Sequence, residues 1–392
     1  MSQAFAAFNA GSSSIKFSVF QAEHGSLALA CHGQIENIDT HPHFVANNRE
    51  GNLLCEKHIG SDKPYENVLA MMIAWLEDNL RPNKLMAVGH RVVHGGNLFH
   101  EPVHVTPEVL KQLEELVPLA PLHQPHSILM MRTLAALHPD LPQVACFDTS
   151  FHMSNSRLSR RYALPPEFEQ QGIMRYGFHG LSYQHIADEL PKLEARAGGK
   201  VVVAHLGSGA SMCAIKGGKS VASTMGFSTL DGLPMGTRCG ALDPGVLFYL
   251  LREKHWSLDD LEDLLYHGSG LAGMSGLGTD MRKILASPEQ RAREAVELYC
   301  YRIARELGSM AAALGGLDVL VFTGGIGEHA KEVRAEVCRQ AEWLGVELEV
   351  AANEAGAQLI SKAGGKVAVW VLPANEEIVI ARQAQILHAQ GA

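Results

Sequence analysis

The chain has no CxxC pair, no uninterrupted apolar run near the ~20 residues that cross a bilayer, and fewer cations than anions. Each shortage excludes something. The seven cysteines (31, 55, 146, 213, 239, 300 and 338) are an odd, scattered set. They read as reduced thiols of a cytosolic protein, with neither a disulfide framework nor a zinc site. The opening MSQAFAAFNAG lacks the basic segment of a secretory signal, so a cytoplasmic location with no membrane association is expected. Lys and Arg total 33 against 42 Asp and Glu, a net charge of −9, which argues against a general binder of nucleic acid or anionic membranes. Any anionic ligand must be met by a local cluster of cations. Twenty scattered histidines read mostly as surface or packing residues.

What is present is an ordinary soluble composition, 46% hydrophobic and 19% charged, in 392 residues. That length exceeds one comfortable core, so two domains are expected. QAFAAF and IKFSVFQ read as strands around a polar turn, and residues 65–80 carry helical periodicity at Val68, Met71, Met72 and Trp75. HSILMMRTLAAL reads as a helix, and QVACF (143–147) as a buried strand ending at Asp148. The polar, proline-marked stretch 154–171 reads as the crossing between domains. KVVVAHL, LDVLVF and KVAVWVLP are further strands, and 289–314 and 327–344 are helices. Helices interleaved with apolar strands indicate an α/β architecture.

One internal similarity stands out. FAAFNAGSSSIKFSV and VVVAHLGSGASMCAI superpose with Gly11 on Gly207 and Ser12 on Ser208. Each is strand, small-residue turn, strand, and such turns let backbone N–H groups and hydroxyls approach a ligand that bulky side chains would fend off. Either alone is an ordinary hairpin. The pair, near the start of each domain, predicts two halves that each offer a phosphate loop to a cleft between them.

A third glycine-rich element, VLVFTGGIGEHAKEV, has two readings. As strand, tight turn and helix, its amides can receive phosphate or ribose oxygens. It also fits the G-x-G-x-x-A dinucleotide fingerprint at Gly325, Gly327 and Ala330, with Glu347 and Glu349 roughly 20 residues further on. An NAD-dependent oxidoreductase is therefore a rival. Against it, only residues 331–392 follow, too few to complete such a fold, and the two hairpin turns are left without a role. Candidate cations lie in GHRVVHGG (89–96), LHQPHS (122–127), FDTSFH (147–152), YGFHGLSYQH (176–185) and MGTRCGALDPG (235–245), each beside glycine, proline or a small residue.

Taken together, N-x-G-S-S-S-x-K at Asn9–Lys16, H-x-G-x-G-x-S at His205–Ser211, GHRVVHGG, FDTSFH, YGFHG, MGTRCG, TGGIGE and the late NEE (375–377) resemble the acetate kinase family, in consistent order across the chain. The resemblance implies two ribonuclease H-like domains of the actin-like ATPase superfamily, each with a mixed five-stranded sheet, and an ATP cleft between them. The domains would be 1–150, completed by a C-terminal helix at 377–392, and 151–376. It implies a homodimer that converts acetate and ATP to acetyl phosphate and ADP. Propionate or butyrate is the alternative acceptor, and a non-catalytic ATP-binding regulator is the alternative from another class.

The resemblance also implies site roles. Asn9 and Glu376 would ligate magnesium, or manganese in its place, as hard oxygen donors suit. Lys16 and Ser12 would meet the ATP phosphates. Arg91, whose fork suits a carboxylate, would bind the substrate with Val93, Leu122, His123 and Phe178 around it. His179 and Arg238 would stabilise the transferring phosphoryl group. His205, Leu206, Gly207, Ser208 and Gly209 would contact ATP. So would Asp280, Met281 and Arg282, and Gly325, Ile326, Gly327, Glu328 and His329. Asp148 stands among the catalytic groups, where the family implies proton transfer. A carboxylate with a pKa near ~4–5 is already ionised at pH 7 and needs no general base. Asp148 then reads as orienting the magnesium shell or an arginine, whereas a hydroxyl-phosphorylating kinase would use it as base. Four positions depart from the family pattern: Ser208 and His329 where asparagine is usual, Thr229 for proline, and Ala374 for threonine. Acyl and nucleotide preference are the properties these changes touch.

Overall fold

A computed structural model describes residues 3–391 apart from Ser12, His24, Asp39, Ser61 and Asp62. The chain divides into two compact units, Met1–Phe151 with Asn375–Ala392, and His152–Ala374. Glu376 therefore belongs to the first unit.

The first unit is built on strands β1 (Gln3–Ala10), β2 (Ser14–Glu23), β3 (Ser26–Glu36), β4 (His43–Asn48), β5 (Leu53–His58), β6 (Lys84–Val92), β7 (Val103–His104) and β8 (Gln143–Phe147). They form one mixed sheet in the order β5-β4-β3-β2-β1-β6-β8-β7. The second unit has β9 (Lys200–Leu206), β10 (Ala210–Lys216), β11 (Lys219–Ser223), β12 (Val319–Thr323) and β13 (Ala368–Val371), in the order β11-β10-β9-β12-β13. The stretch β3-β2-β1-β6-β8 repeats that order: an antiparallel meander, then two strands parallel to the first. The similarity of the two hairpin sequences is thus a similarity of whole sheets.

The expectation of five strands in each sheet holds for the second and is corrected for the first, which has eight. HFVANN and LLCEKH extend its antiparallel edge as a hairpin. Its turn is closed by Asn48 Oδ1, which accepts from the N–H groups of Glu50 (3.1 Å) and Asn52 (2.8 Å). Polar residues dominate one face of this hairpin, so its period-2 pattern is faint in the sequence.

Packing follows the apolar spacing. Helix Tyr65–Leu80 buries Val68, Leu69, Met72, Ile73, Leu76 and Leu80. These residues join Phe8, Ile15, Phe17, Ile35 and Phe44 in one core. Val92, Phe99, Leu113, Ile128, Met131 and Phe147 form another. In the second unit, helix Gln290–Leu314 lies where periodicity predicts it, burying Tyr299, Cys300, Ile303 and Leu307. The helix expected at 327–344 is broken. One runs Gly324–His329, Ala330 leaves helical geometry (φ −93°, ψ 84°), and a second runs Lys331–Gln340. No helix among the described residues is long and apolar enough to cross a membrane.

Candidate active site

In both units the predicted residues gather at the carboxyl ends of the parallel strands, where open α/β sheets place their ligands. In the first, the β1–β2 turn closes with Gly11 N–H donating to the Ser14 carbonyl (2.7 Å), and Asn9 stands directly opposite Lys16. Ser12 lies outside the described residues. Lys16 is exposed and Asn9 half-buried. Asn9 on β1 and Arg91 on β6 each lie one residue beyond the paired Phe8 and His90.

Arg91 is the centre of a charge cluster. Its Nη2 donates to Asp148 Oδ2 at 2.7 Å and its Nε to both Asp148 oxygens at 3.2 Å. Its Nη1 lies 3.2 Å from Glu376 Oε2. Asp148 is placed by the last turn of the sheet, its N–H donating to the Val92 carbonyl (3.0 Å). Glu376 opens helix Glu376–Gly391, where Asn375 Oδ1 accepts from the Ile378 N–H (3.1 Å). That helix seats on β6 because residue 89 is glycine: a Cβ there would lie 2.3 Å from Ile380 Cγ2. Burial would lower the Arg91 pKa, but Asp148, Glu376 and Glu377 outweigh it and hold the guanidinium above its ordinary value. Glu376 is pushed up, by burial first and by Glu377, against the pull of Arg91. Asn9, Asp148 and Glu376 bring oxygen donors to this end of the sheet, the ligand type a hard divalent cation takes.

The remaining first-unit candidates differ in character. Val93 is half-buried, while Leu122 (41% exposed) and His123 are open to solvent. His90 and His94, from the cationic stretch GHRVVHGG, are neutral framework groups. Burial pushes both down to about 4. His90 Nε2 bonds Gln143 Oε1 (2.7 Å), and His94 Nδ1 accepts from the Gly96 N–H (2.9 Å).

In the second unit, His179 and Arg238 converge on the β9–β10 turn. A Cβ at Gly209 would lie 2.8 Å from Arg238 Nη2 and 3.2 Å from His179 Nε2. Arg238 is anchored at its other edge, Nη1 donating to the Thr229 carbonyl at 2.7 Å. Burial holds its pKa below the ordinary value, yet arginine stays charged at neutral pH. His179 has a left-handed backbone (φ 57°), uncommon outside glycine and concentrated at functional sites. Its Nδ1 lies 2.8 Å from Ser211 Oγ, which Tyr183 Oη also reaches at 2.5 Å, and its ring stacks on His205 at 4.4 Å. The residue before it is pinned by His152, whose Nε2–H donates to the Phe178 carbonyl (2.9 Å). His152 is itself neutral, pushed down to about 4 by burial. The Phe178 ring is fully buried.

Beside this turn, and wholly within the second unit, lies a pocket of about 670 Å³. It is lined by the predicted Gly207, Ser208, Asp280, Met281, Arg282, Gly325, Ile326 and His329. Asp280 caps helix Met281–Ala286 by accepting from the Arg282 N–H (3.0 Å) and holds the Arg282 fork. The other predicted contacts serve the frame: Leu206 and Gly327 are buried, and His205 Nδ1 meets Ser182 Oγ (2.8 Å). Glu328 Oε1 accepts from the N–H groups of Gly324 and Ala374, each at 3.0 Å.

The sequence reading missed Thr279, Leu285, Lys331 and Glu332 in the pocket wall. It also missed Arg334. This fully buried guanidinium donates from Nη1 to the Gly327 and Glu328 carbonyls (3.0 and 2.7 Å) and from Nε to Asn353 Oδ1 (2.8 Å). Asn353 in turn donates to the Lys331 carbonyl (3.0 Å). The pair thus fastens two segments of the pocket wall. Its only sequence signal was a lone arginine at helical spacing beyond GGIGE.

The NAD reading falls on topology. The second sheet is antiparallel over β9–β11, and the glycines lie inside a helix, Gly324–His329, that ends after six residues. Two sheets of one connectivity, with arginines, acids and small-residue turns at their carboxyl ends, define a phosphotransferase of the actin-like ATPase type. The chain matches the acetokinase family over residues 4–382 and belongs to that family. It is 53% identical over 388 residues to an acetate kinase of Rhodopseudomonas palustris, covering 97% of this chain and 98% of that one. Among solved structures it is similar to a propionate kinase from Francisella tularensis, with a TM-score of 0.92 and 33% identity, covering 98% and 99% of the two chains. The acetate kinase of Porphyromonas gingivalis gives a TM-score of 0.88 and 34% identity over the same shares.

Proposed function

We propose that this chain is an ATP-dependent kinase of acetate, transferring the γ-phosphoryl group in line and reversibly to give acetyl phosphate and ADP. The observation that carries this reading is the convergence of Arg238 and His179 on the Gly209 turn, beside the pocket lined by Ser208, Asp280 and Ile326. Two such donors suit the charge that spreads over the equatorial oxygens of a transferring phosphoryl group. The nucleotide belongs to that pocket, and Ser208 and His329, which replace the usual asparagines, both line it. The third departure, Thr229, holds Arg238 through its backbone carbonyl, a contact that does not depend on its side chain.

In the first unit, Asp148 fixes Arg91 along one edge, and the substrate carboxylate is received at Nη1 in exchange for Glu376. This makes Asp148 a positioning residue for the arginine, in keeping with an acceptor that carries no proton to remove. Val93, Leu122 and His123 are the first unit's candidates for acyl contact, and Phe178 the second's. Lys16 is an exposed point charge for the phosphates. The oxygen donors around Arg91 fit magnesium, which Asn9 and Glu376 would hold and which would neutralise phosphate charge when bound.

The chain is further proposed to work in the cytoplasm as a homodimer. Helix Pro244–Glu253 has no buried residue and presents Val246, Phe248 and Tyr249 to solvent, near exposed Trp256 and Leu258, as an unpartnered interface would. Light scattering at twice the monomer mass checks this.

The test of function is acyl phosphate formation, trapped as the hydroxamate, with ATP, magnesium and acids from formate to butyrate. A maximum at acetate supports the reading, and a maximum at propionate or butyrate moves the acceptor while keeping the chemistry. No product with any acid overturns it in favour of a nucleotide-binding regulator.

A further inference from the structure

The β4–β5 hairpin, at the edge of the first sheet, carries two imidazoles and a carboxylate outside the machinery described above. His43 pairs directly with His58 across the strands, and Val45 with Glu56. Side chains alternate along a strand, so His43, Glu56 and His58 project from one face. The opposite face is committed to the core, with Phe44 and Ala46 buried there and Cys55 packed against it. The hairpin cannot slip by one residue without exposing Phe44, so its register is held.

The donor atoms of the three residues all lie within 4.8 Å of one another. His43 Nε2 is 3.0 Å from Glu56 Oε1, and the two imidazoles stack at 4.3 Å with 7° between their planes. Glu36 stands beside His43 in the next strand, its carboxylate accepting from Gln34 Nε2 (3.1 Å), and adds negative charge to the same face.

We propose that His43, Glu56 and His58 form a binding site for a divalent transition-metal ion of the zinc, nickel or copper type, separate from any magnesium used in catalysis. Imidazole nitrogen is the ligand that distinguishes these ions from magnesium and calcium, which take oxygen. Two imidazoles and one carboxylate also match the N and O donors of three-ligand zinc sites, with open positions left for water. A coordinated ion lies in the plane of each imidazole, so parallel stacked rings cannot both address it. Binding therefore unstacks His43 and His58 by rotation about χ2 and draws donors now up to 4.8 Å apart to roughly 3.3 Å, the separation set by ~2.0–2.1 Å bonds in a tetrahedral shell. The ion would staple edge strand β5 to β4, its partner among the described residues.

The probe is zinc chloride titrated calorimetrically into the full-length, chelator-treated protein, with millimolar magnesium present to occupy oxygen-ligand sites. The result expected is one zinc per chain with a dissociation constant on the order of 1 μM, equivalent to about 8 kcal/mol. His58→Phe, which keeps an aromatic ring over His43 but removes a donor, and Glu56→Gln should each weaken binding at least about 10-fold. Both should leave kinase turnover unchanged. Substoichiometric nickel should broaden the imidazole proton resonances of His43 and His58 ahead of those of other histidines. No saturable binding below 1 mM, or one-to-one binding that neither substitution weakens, overturns the proposal.

Discussion

Gly209, expected to contact ATP, does not line the nucleotide pocket as Gly207 and Ser208 do, so Gly209→Ala separates the geometry of phosphoryl transfer from folding and from nucleotide binding. The backbone at Gly209 does not lie in the left-handed region, so alanine adopts it without strain. The new methyl would stand 2.8 Å from Arg238 Nη2 and 3.2 Å from His179 Nε2, against ordinary contact distances near 3.4–4 Å. Arg238 must retreat by about 0.6 Å or more, and its 2.7 Å bond to the Thr229 carbonyl resists a simple translation. The fork therefore tips. The far end of an arginine moves cheaply, so the cost to stability is within ~0.5 kcal/mol, a shift of only a degree or two in Tm. The cost to the reaction is larger, because a misplacement near 1 Å in a transition-state contact is worth about 10²-fold. Losing one preorganised donor costs about 10²–10³. The expected result is a kcat reduced roughly 30- to 300-fold in the hydroxamate assay, with KM for ATP within about threefold and Tm nearly unchanged. A wild-type kcat with an intact fold would refute the assignment of Arg238 and His179 to the transferring group.

Three further outcomes follow from the same structure. Arg91→Ala should raise the carboxylate KM about 10- to 100-fold and lower kcat, since a charged hydrogen-bonded pair is worth about 1.5–3 kcal/mol, while ATP affinity stays near wild type; an unchanged carboxylate KM would remove Arg91 from the site. Arg334→Met strands the Gly327 and Glu328 carbonyls at about 1–3 kcal/mol each, so Tm falls and KM for ATP rises several-fold with kcat less affected; partial rescue by Arg334→Lys would mark it as a positioning residue, and an unchanged ATP KM would not. His90, His94 and His152 are held neutral with pKa values near 4 in the folded chain against about 6.5 when unfolded. The unfolded chain then binds more protons between those values, so stability is full above pH 6.5 and falls as pH drops towards 4, by at most about 3 kcal/mol per histidine. Thermal unfolding from pH 7.5 to 4.5 should show a steep decline, and a flat profile would contradict their neutral burial.

Much of this was legible in residue order. The apolar periodicity of 65–80 and 290–314 and the strands at 143–147 and 200–206 are local signals, because a helix or strand buries one face at a fixed spacing. The small-residue turns at Asn9–Lys16 and His205–Ser211 are local signals too, since a run of glycine and serine between two apolar segments marks a hairpin turn. The β4–β5 edge was illegible, because a half-exposed hairpin carries polar residues on one face and its partner strand is set by register. So was the break at Ala330, which no proline or glycine marks.

Residue order sets which chemistry is available: arginines, acids and small-residue turns in a constant succession along the chain, and hence the family. Tertiary structure alone decided how those groups are used. It set Glu376, some 285 residues from Arg91 in the chain, within 3.2 Å of its guanidinium, because Gly89 lets the last helix lie against β6. It made His90, His94 and His152 neutral framework groups while aiming His179 at the Gly209 turn, and it buried Arg334 against the Gly327 and Glu328 carbonyls to fasten the pocket wall. The physical reason is that spacing along a chain fixes which face a side chain occupies, whereas its charge, its partners and its access to a ligand depend on groups brought near only by packing.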